Sequence, residues 1–232
     1  MSKKRLIIIY EYGRVVKMIK MIFNKILGTI KRNIFIIICI IVFSVMCVLI
    51  KYKFSEQFIE LDNIIRTFVN NNMHSDILTS LLKVITHFGD TLTAIIIGIL
   101  SIIIARDNIK RIVLGLDVCS IGAFGYILKK LIARPRPIEA LIEIPTSYSF
   151  PSGHTFFSFG FYSLIIFFIL KSRLKKPFKV MLTVIFSFLM LLVPFSRVYL
   201  GVHYFTDVMG GLVLGILFLL FFINTYFYLK EE

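Results

Sequence analysis

The sequence predicts an all-α fold, a polytopic membrane helical bundle with six transmembrane helices. Three observations carry that prediction. The 232 residues are 58% hydrophobic, with a mean hydropathy of +0.88, which is more apolar side chain than a soluble domain can hide. Several runs of about 17 to 25 apolar residues follow one another, the length an α-helix needs to cross roughly 30 Å of hydrocarbon. The 27 Lys and Arg fall mostly in short segments between those runs, as in membrane proteins that keep positive charge on the inner side.

Residues 1–32 hold nine Lys or Arg, and Val15, Ile19, Ile22, Phe23, Ile26 and Ile30 recur at helical spacing against Lys17, Lys20, Lys25 and Lys31. This reads as a basic amphipathic helix lying on an anionic inner leaflet, a cytoplasmic segment ahead of a six-span domain over 33–228. A cleavable signal peptide fits less well, because the basic region is long and no small-residue cleavage site follows the apolar run. The first span is expected at 33–50. A polar stretch over 51–90, with Glu56, Glu60, Asp62, Arg66, Asn70, Asn71, Asn72, His74 and Asp76, is expected outside the membrane core as short interfacial helices. Further spans are expected at 91–105, 111–130, 154–170, 178–195 and 206–228. The first of these is short, so its helix starts earlier or tilts.

Sorting the Lys and Arg onto alternate sides of this arrangement places 18 with the N-terminus and nine opposite. The bias puts both chain ends in the cytoplasm. Cys39, Cys47 and Cys119 lie inside apolar runs and read as packing residues rather than a disulfide framework. The net charge of +14 does not point to nucleic acid, since no soluble module remains to carry such a site.

Three polar clusters interrupt the apolar sequence, at 129–137, 151–154 and 196–207, and the predicted topology puts all three at one membrane face. Lys129, Lys130, Arg134, Arg136 and Arg197 concentrate positive charge on the side where it is disfavoured, so an anion is expected to compensate it, phosphate being the natural candidate. Pro151-Ser152-Gly153-His154 opens an apolar run and so forms a helix N-terminus whose free N–H groups suit phosphate oxygens. Ser152 adds a hydroxyl, and His154 stands where an imidazolium can pass a proton to a departing oxygen. His203 and Asp207 share a helical face, so that the carboxylate orients the ring and leaves its other nitrogen free to attack.

Lys129 followed by Arg136-Pro137, then Pro151-Ser152-Gly153-His154, then Ser196-Arg197 with His203 and Asp207, resembles the three-part signature of the type 2 phosphatidic acid phosphatase superfamily over about 75–228. The resemblance implies a six-span helical fold. Lys129, Arg136, Arg197, Ser152 and the Gly153 backbone would bind phosphate, His203 would be the nucleophile, Asp207 its partner, and His154 the general acid and then base. It implies no metal and no other cofactor, and the four His and scattered carboxylates form no convincing ligand set. Lys130 and Arg134 are read as supporting charge only. A similar site holds vanadate in haloperoxidases, which are soluble.

Taken singly, each cluster has a plainer reading, as a helix start or a solvated loop with charges snorkelling at the interface. His74, His87 and Asp90 read as capping or interfacial residues. Asp117 falls inside a span, where pairing with a neighbouring helix would satisfy it. Phe150, Tyr199, Tyr204 and Phe205 read as an aromatic belt at the lipid boundary. The loops are short, so the expected partner is a membrane lipid phosphate arriving through the bilayer. Undecaprenyl diphosphate in a plasma membrane is the first candidate, with phosphatidylglycerol phosphate and phosphatidic acid behind it, hydrolysed at the extracytoplasmic face. Phosphate transfer to another hydroxyl, and a silent lipid transporter or scaffold, are the alternatives; the latter would need the cations but not His154, His203 and Asp207.

Overall fold

The computed structural model describes residues 3–53 and 55–231, and every regular element among them is helical. In chain order these are α1 (Lys3–Arg32), α2 (Ile34–Lys53), α3 (Ser55–Asn72), α4 (Asp76–Thr86) with a 3₁₀ turn over His87–Gly89, α5 (Thr91–Ile104) and α6 (Asn108–Ile132). Then come α7 (Gly153–Leu170), α8 (Lys176–Tyr199) and α9 (Phe205–Glu231). The four helices α6 to α9 are each long and apolar enough to cross a membrane. Six spans are reached by counting two bent pairs as one span each, 14–32 with 34–49 at 66°, and Asp76–Gly89 with Thr91–Ile104 at 55°. The helix over the short apolar run itself starts at Thr91, and α4 precedes it across a break. Counted so, part of the stretch expected to lie outside the membrane core becomes the first limb of a bent pair.

Helix α7 is central, with 61% of its apolar window buried against 11% for α8. It lies close to α9 because glycines face it. A Cβ on Gly211 would come within 2.6 Å of the Ser152 carbonyl, and one on Gly215 within 2.9 Å of the Gly160 nitrogen; small residues at such crossings let membrane helices gain dispersion contacts that lipid cannot offer. A π-helical turn over Ser158–Tyr162 interrupts α7. Around it Phe156, Phe161, Tyr162, Leu164 and Leu214 are fully enclosed, and Phe156 meets Phe218 edge-on at 4.8 Å, the geometry that ring quadrupoles favour. Asp117 is buried on α6 at 0% exposure. Neither carboxylate oxygen has a hydrogen-bond partner among the described residues, so the pairing that would satisfy it is not made among them.

The bend between α1 and α2 falls on Asn33. Its side chain donates to the Thr29 carbonyl at 2.9 Å and to Thr225 Oγ1 at 3.2 Å, and accepts from Asn224 Nδ2 at 3.2 Å. An ion pair between Arg32 and Glu231 closes the same junction. The N-terminal helix is thereby fastened to the far end of α9. At the opposite end of the bundle the C-termini of α6 and α8, the N-termini of α7 and α9, and the turn between α4 and α5 come together. Gly201, at φ +73° between α8 and α9, permits this, because a Cβ there would sit 2.7 Å from the Glu139 carbonyl and L side chains rarely adopt that conformation.

Candidate active site

All eight residues expected from the sequence lie at this end. His203 follows α8 in the turn before α9, with Asp207 in the first turn of α9. Asp207 Oδ2 is 3.4 Å from His203 Nδ1. Ser149 Oγ is 3.3 Å from the same nitrogen and donates its own proton to Asp207 Oδ2. On the other side of the ring, Arg136 Nη1 lies 3.0 Å from Nε2. A guanidinium only donates, so this network assigns the ring proton to Nδ1 and the lone pair to Nε2. Burial pushes the His203 pKa down to about 3; Asp207 opposes the shift, and Arg136 and Lys129 add to it. The ring is neutral at ordinary pH, the form in which an imidazole lone pair can attack.

Arg136 stitches two loops together. It donates to the Ser147 carbonyl at 2.7 Å, to Ser147 Oγ at 3.0 Å and to the Val202 carbonyl at 2.7 Å. Lys129, at the end of α6, donates to the carbonyls of Tyr148 and Ser149 at 2.6 and 3.2 Å. Lys130 instead points away, over the rings of Tyr126 and Tyr148.

Arg134 does more than supply charge. Its Nη1 donates to Asp207 Oδ1 and Thr206 Oγ1, both at 2.7 Å, and its Nη2 to Asp62 Oδ2 at 2.6 Å. Burial alone would lower its pKa, but Asp207 and Asp62 hold it above the ordinary value. Asp62, on α3, also accepts from Thr206 N and Oγ1 at 2.9 and 2.7 Å. Asp207 thus has Arg134, Ser149 and the Tyr204 N–H as partners besides His203, and a carboxylate so satisfied stays ionised.

Ser152 caps α7, its Oγ accepting from Thr155 N and Thr155 Oγ1 at 3.4 and 3.0 Å, and it has no exposed surface. A Cβ on Gly153 would meet nothing within 4 Å, so its backbone faces open space. The Ser152 N–H donates to the Asp207 carbonyl at 3.0 Å, which joins the two histidine-bearing segments. His154 Nε2 lies 2.9 Å from Asp90 Oδ1, and His87 Nδ1 lies 2.7 Å from Asp90 Oδ2. Arg197 is 3% exposed; its Nη1 donates to Thr86 Oγ1 at 2.5 Å, and its Nε has no partner among the described residues. A buried donor left unpaired is costly unless something accepts from it.

Sequence reasoning missed Asp62, Thr86, Ser147, Ser149 and Thr206, and underrated Arg134 and Asp90. Asp90 stands at the N-cap position of α5 but makes no side-chain cap bond. The aromatic belt is also corrected. Tyr199 is 2% exposed and bonds Ser75 and Thr79, Tyr204 lies under the Arg134 guanidinium at 4.1 Å, and Phe150 packs against Gly210.

The family model of the PAP2 superfamily matches residues 110–231. The chain belongs to the PAP2 superfamily. Among PAP2 relatives it is 44% identical to phosphatidylglycerophosphatase B of Bacillus subtilis (strain 168) over 101 residues, 42% of this chain and 47% of that one. It is 33% identical to dolichyldiphosphatase 1 of Dictyostelium discoideum over 126 residues, 53% of this chain and 55% of that one. The chain spans about half the length of these curated relatives. The fold is similar to the crystal structure of the first transmembrane PAP2 type phosphatidylglycerolphosphate phosphatase from Bacillus subtilis, with a TM-score of 0.62 and 28% identity, covering 84% of this chain and 96% of that one.

Proposed function

We propose that this PAP2 protein is an integral membrane phosphatase that hydrolyses the terminal phosphate of a lipid phosphate or diphosphate through a phosphohistidine on His203. The observation that carries the reading is the pairing at His203, a neutral buried ring oriented by Asp207 on Nδ1 and covered on Nε2 by a phosphate-binding type of side chain, Arg136. A phosphate oxygen accepting from Arg136 Nη1 would replace that contact and release the Nε2 lone pair toward phosphorus. Lys129, Arg197 and the α7 N-terminus would share the charge on the remaining oxygens. His154 protonates the leaving oxygen, then takes a proton from the water that cleaves the phosphohistidine.

The relatives act on, by name, a phosphatidylglycerol phosphate and a dolichyl diphosphate, which supports a lipid tail in the bilayer and a terminal phosphate at the site. Undecaprenyl diphosphate and phosphatidylglycerol phosphate are the first two substrates to compare. The two-to-one bias of Lys and Arg toward the N-terminal side supports cytoplasmic chain ends and an extracytoplasmic site in the plasma membrane.

The test is phosphate release in excess EDTA from undecaprenyl diphosphate, phosphatidylglycerol phosphate and phosphatidic acid, with His203→Ala as the blank. Purified protein is expected to release phosphate that the blank does not. Sealed right-side-out vesicles are expected to act on lipid supplied from outside. Equal release by His203→Ala would sink the nucleophile, and activity only after the vesicles are opened would reverse the orientation.

A further inference from the structure

The break between α4 and α5 lies outside the three clusters legible in the sequence, yet consecutive residues of it touch the site. Thr86 accepts from Arg197 at 2.5 Å. The Phe88 carbonyl accepts from the Tyr162 hydroxyl at 2.5 Å, which anchors the turn to α7. Gly89 lies flat against the His154 ring, since a Cβ there would come within 2.6 Å of Cδ2 and 2.7 Å of Val193 Cγ1. Asp90 binds Nε2 of the same ring and is itself held by His87.

We propose that this turn is a fourth part of the active site, in which Asp90 is a positioning residue that holds His154 by Nε2 and so makes Nδ1 the nitrogen that transfers the proton. The proposal rests on the reading of His154 as general acid. In the first half-reaction the P–N bond to His203 forms, the bond from phosphorus to the leaving oxygen breaks, and that oxygen takes the Nδ1 proton. His154 then remains neutral, with its Nε2 proton still donated to Asp90. In the second half-reaction water supplies the new P–O bond, its proton returns to Nδ1, and the P–N bond breaks. The imidazolium so restored sits among Arg197, Arg136 and Asp90. Asp90 supplies the negative charge that offsets the two guanidiniums, and His87 keeps its carboxylate turned toward the ring.

The test compares kcat/KM, which reports the steps up to loss of the leaving group, on two monoesters. Dioctanoyl phosphatidic acid expels a strongly basic alkoxide that needs a proton, whereas 4-nitrophenyl phosphate expels a weakly basic phenolate that does not. Asp90→Asn is expected to lower the rate on the lipid by about tenfold or more and on the aryl ester by less than about threefold, with His154→Ala showing the same preference more strongly. Asp90→Ser serves where the amide variant misfolds; the side chain is 41% exposed and caps no helix N–H, so both fit. Selectivity in His154→Ala with equal or absent losses in the Asp90 variants overturns the proposal alone. Equal losses on both esters in His154→Ala overturn the general acid and this proposal with it.

Discussion

His203 has 1% of its side chain exposed and is held on both ring nitrogens, by Arg136 on one side and by Asp207 and Ser149 on the other. His154 keeps 17% exposed and has one hydrogen-bonded partner among the described residues, Asp90, whose other oxygen reaches an exposed His87. The difference suits the roles proposed for the two rings. A nucleophile has to present one lone pair along one line, so immobility and neutrality help it. A group that gives a proton and then takes one back needs a lighter hold, with its charge stabilised in one state and not the other. The His203 side is accordingly a closed polar network reaching Asp62 on α3, and the His154 side a single turn laid against the ring.

The largest expected effect is on the closed side. Arg134→Ala leaves Asp62 and Asp207, both without side-chain exposure, as uncompensated buried carboxylates, a loss of about 3 to 5 kcal/mol. Thermal unfolding in detergent should show it as a large drop in Tm, with activity lost alongside. A variant with wild-type Tm would mean that the network does not hold this side together. Asp62→Asn comes next, since it keeps the shape of the side chain and removes its charge. The weakened hydrogen bonds to Arg134 and Thr206 are expected to cost about 1.5 to 3 kcal/mol, with a smaller fall in Tm and in kcat. No change in either would detach α3 from the site.

A third effect concerns pH. His203 has an ordinary value of 6.5 and a folded value of about 3, so between those values the unfolded chain binds the proton and the folded chain does not. That contribution to stability is complete above the ordinary value and is lost as pH falls toward the folded one. The Tm of the native protein should therefore fall more steeply than that of His203→Asn between about pH 6 and 4. Parallel curves would mean that the ring is not held neutral.

The two sides also differ in how much of them the sequence displays. Lys129, Arg136, Ser152, Gly153, His154, Arg197, His203 and Asp207 stand out because they are polar residues in short clusters between apolar runs, where desolvation makes a purposeless charge costly. Their gathering at one end follows from alternating spans. Asp62 sits in a stretch full of other polar residues, and only the fold brings it 144 positions along the chain to Thr206. Ser149 and Thr206 are small hydroxyl residues of a common kind, without a pattern of their own. Asp90 looks like a helix cap because it precedes a helix, and its side chain turns elsewhere. Tyr199 reads as a boundary aromatic, while its hydroxyl is claimed by Ser75 and Thr79 inside the packing of α4 on α8. The long helices were legible from hydropathy; the bent pair of α4 and α5 was not, because neither limb alone has the length of a span.

The junction at Asn33 gives α9 the mechanics of a lever. Asp207 stands near one end of that helix and Asn224 near the other, separated by roughly 25 Å at 1.5 Å per residue. Pivoting about the Asn224 end by about 5° would swing the carboxylate by about 2 Å at that radius, enough to part it from Arg134 at 2.7 Å. The clamp formed by Arg32, Asn33, Thr225 and Glu231 therefore holds one end of the helix whose other end carries Asp207.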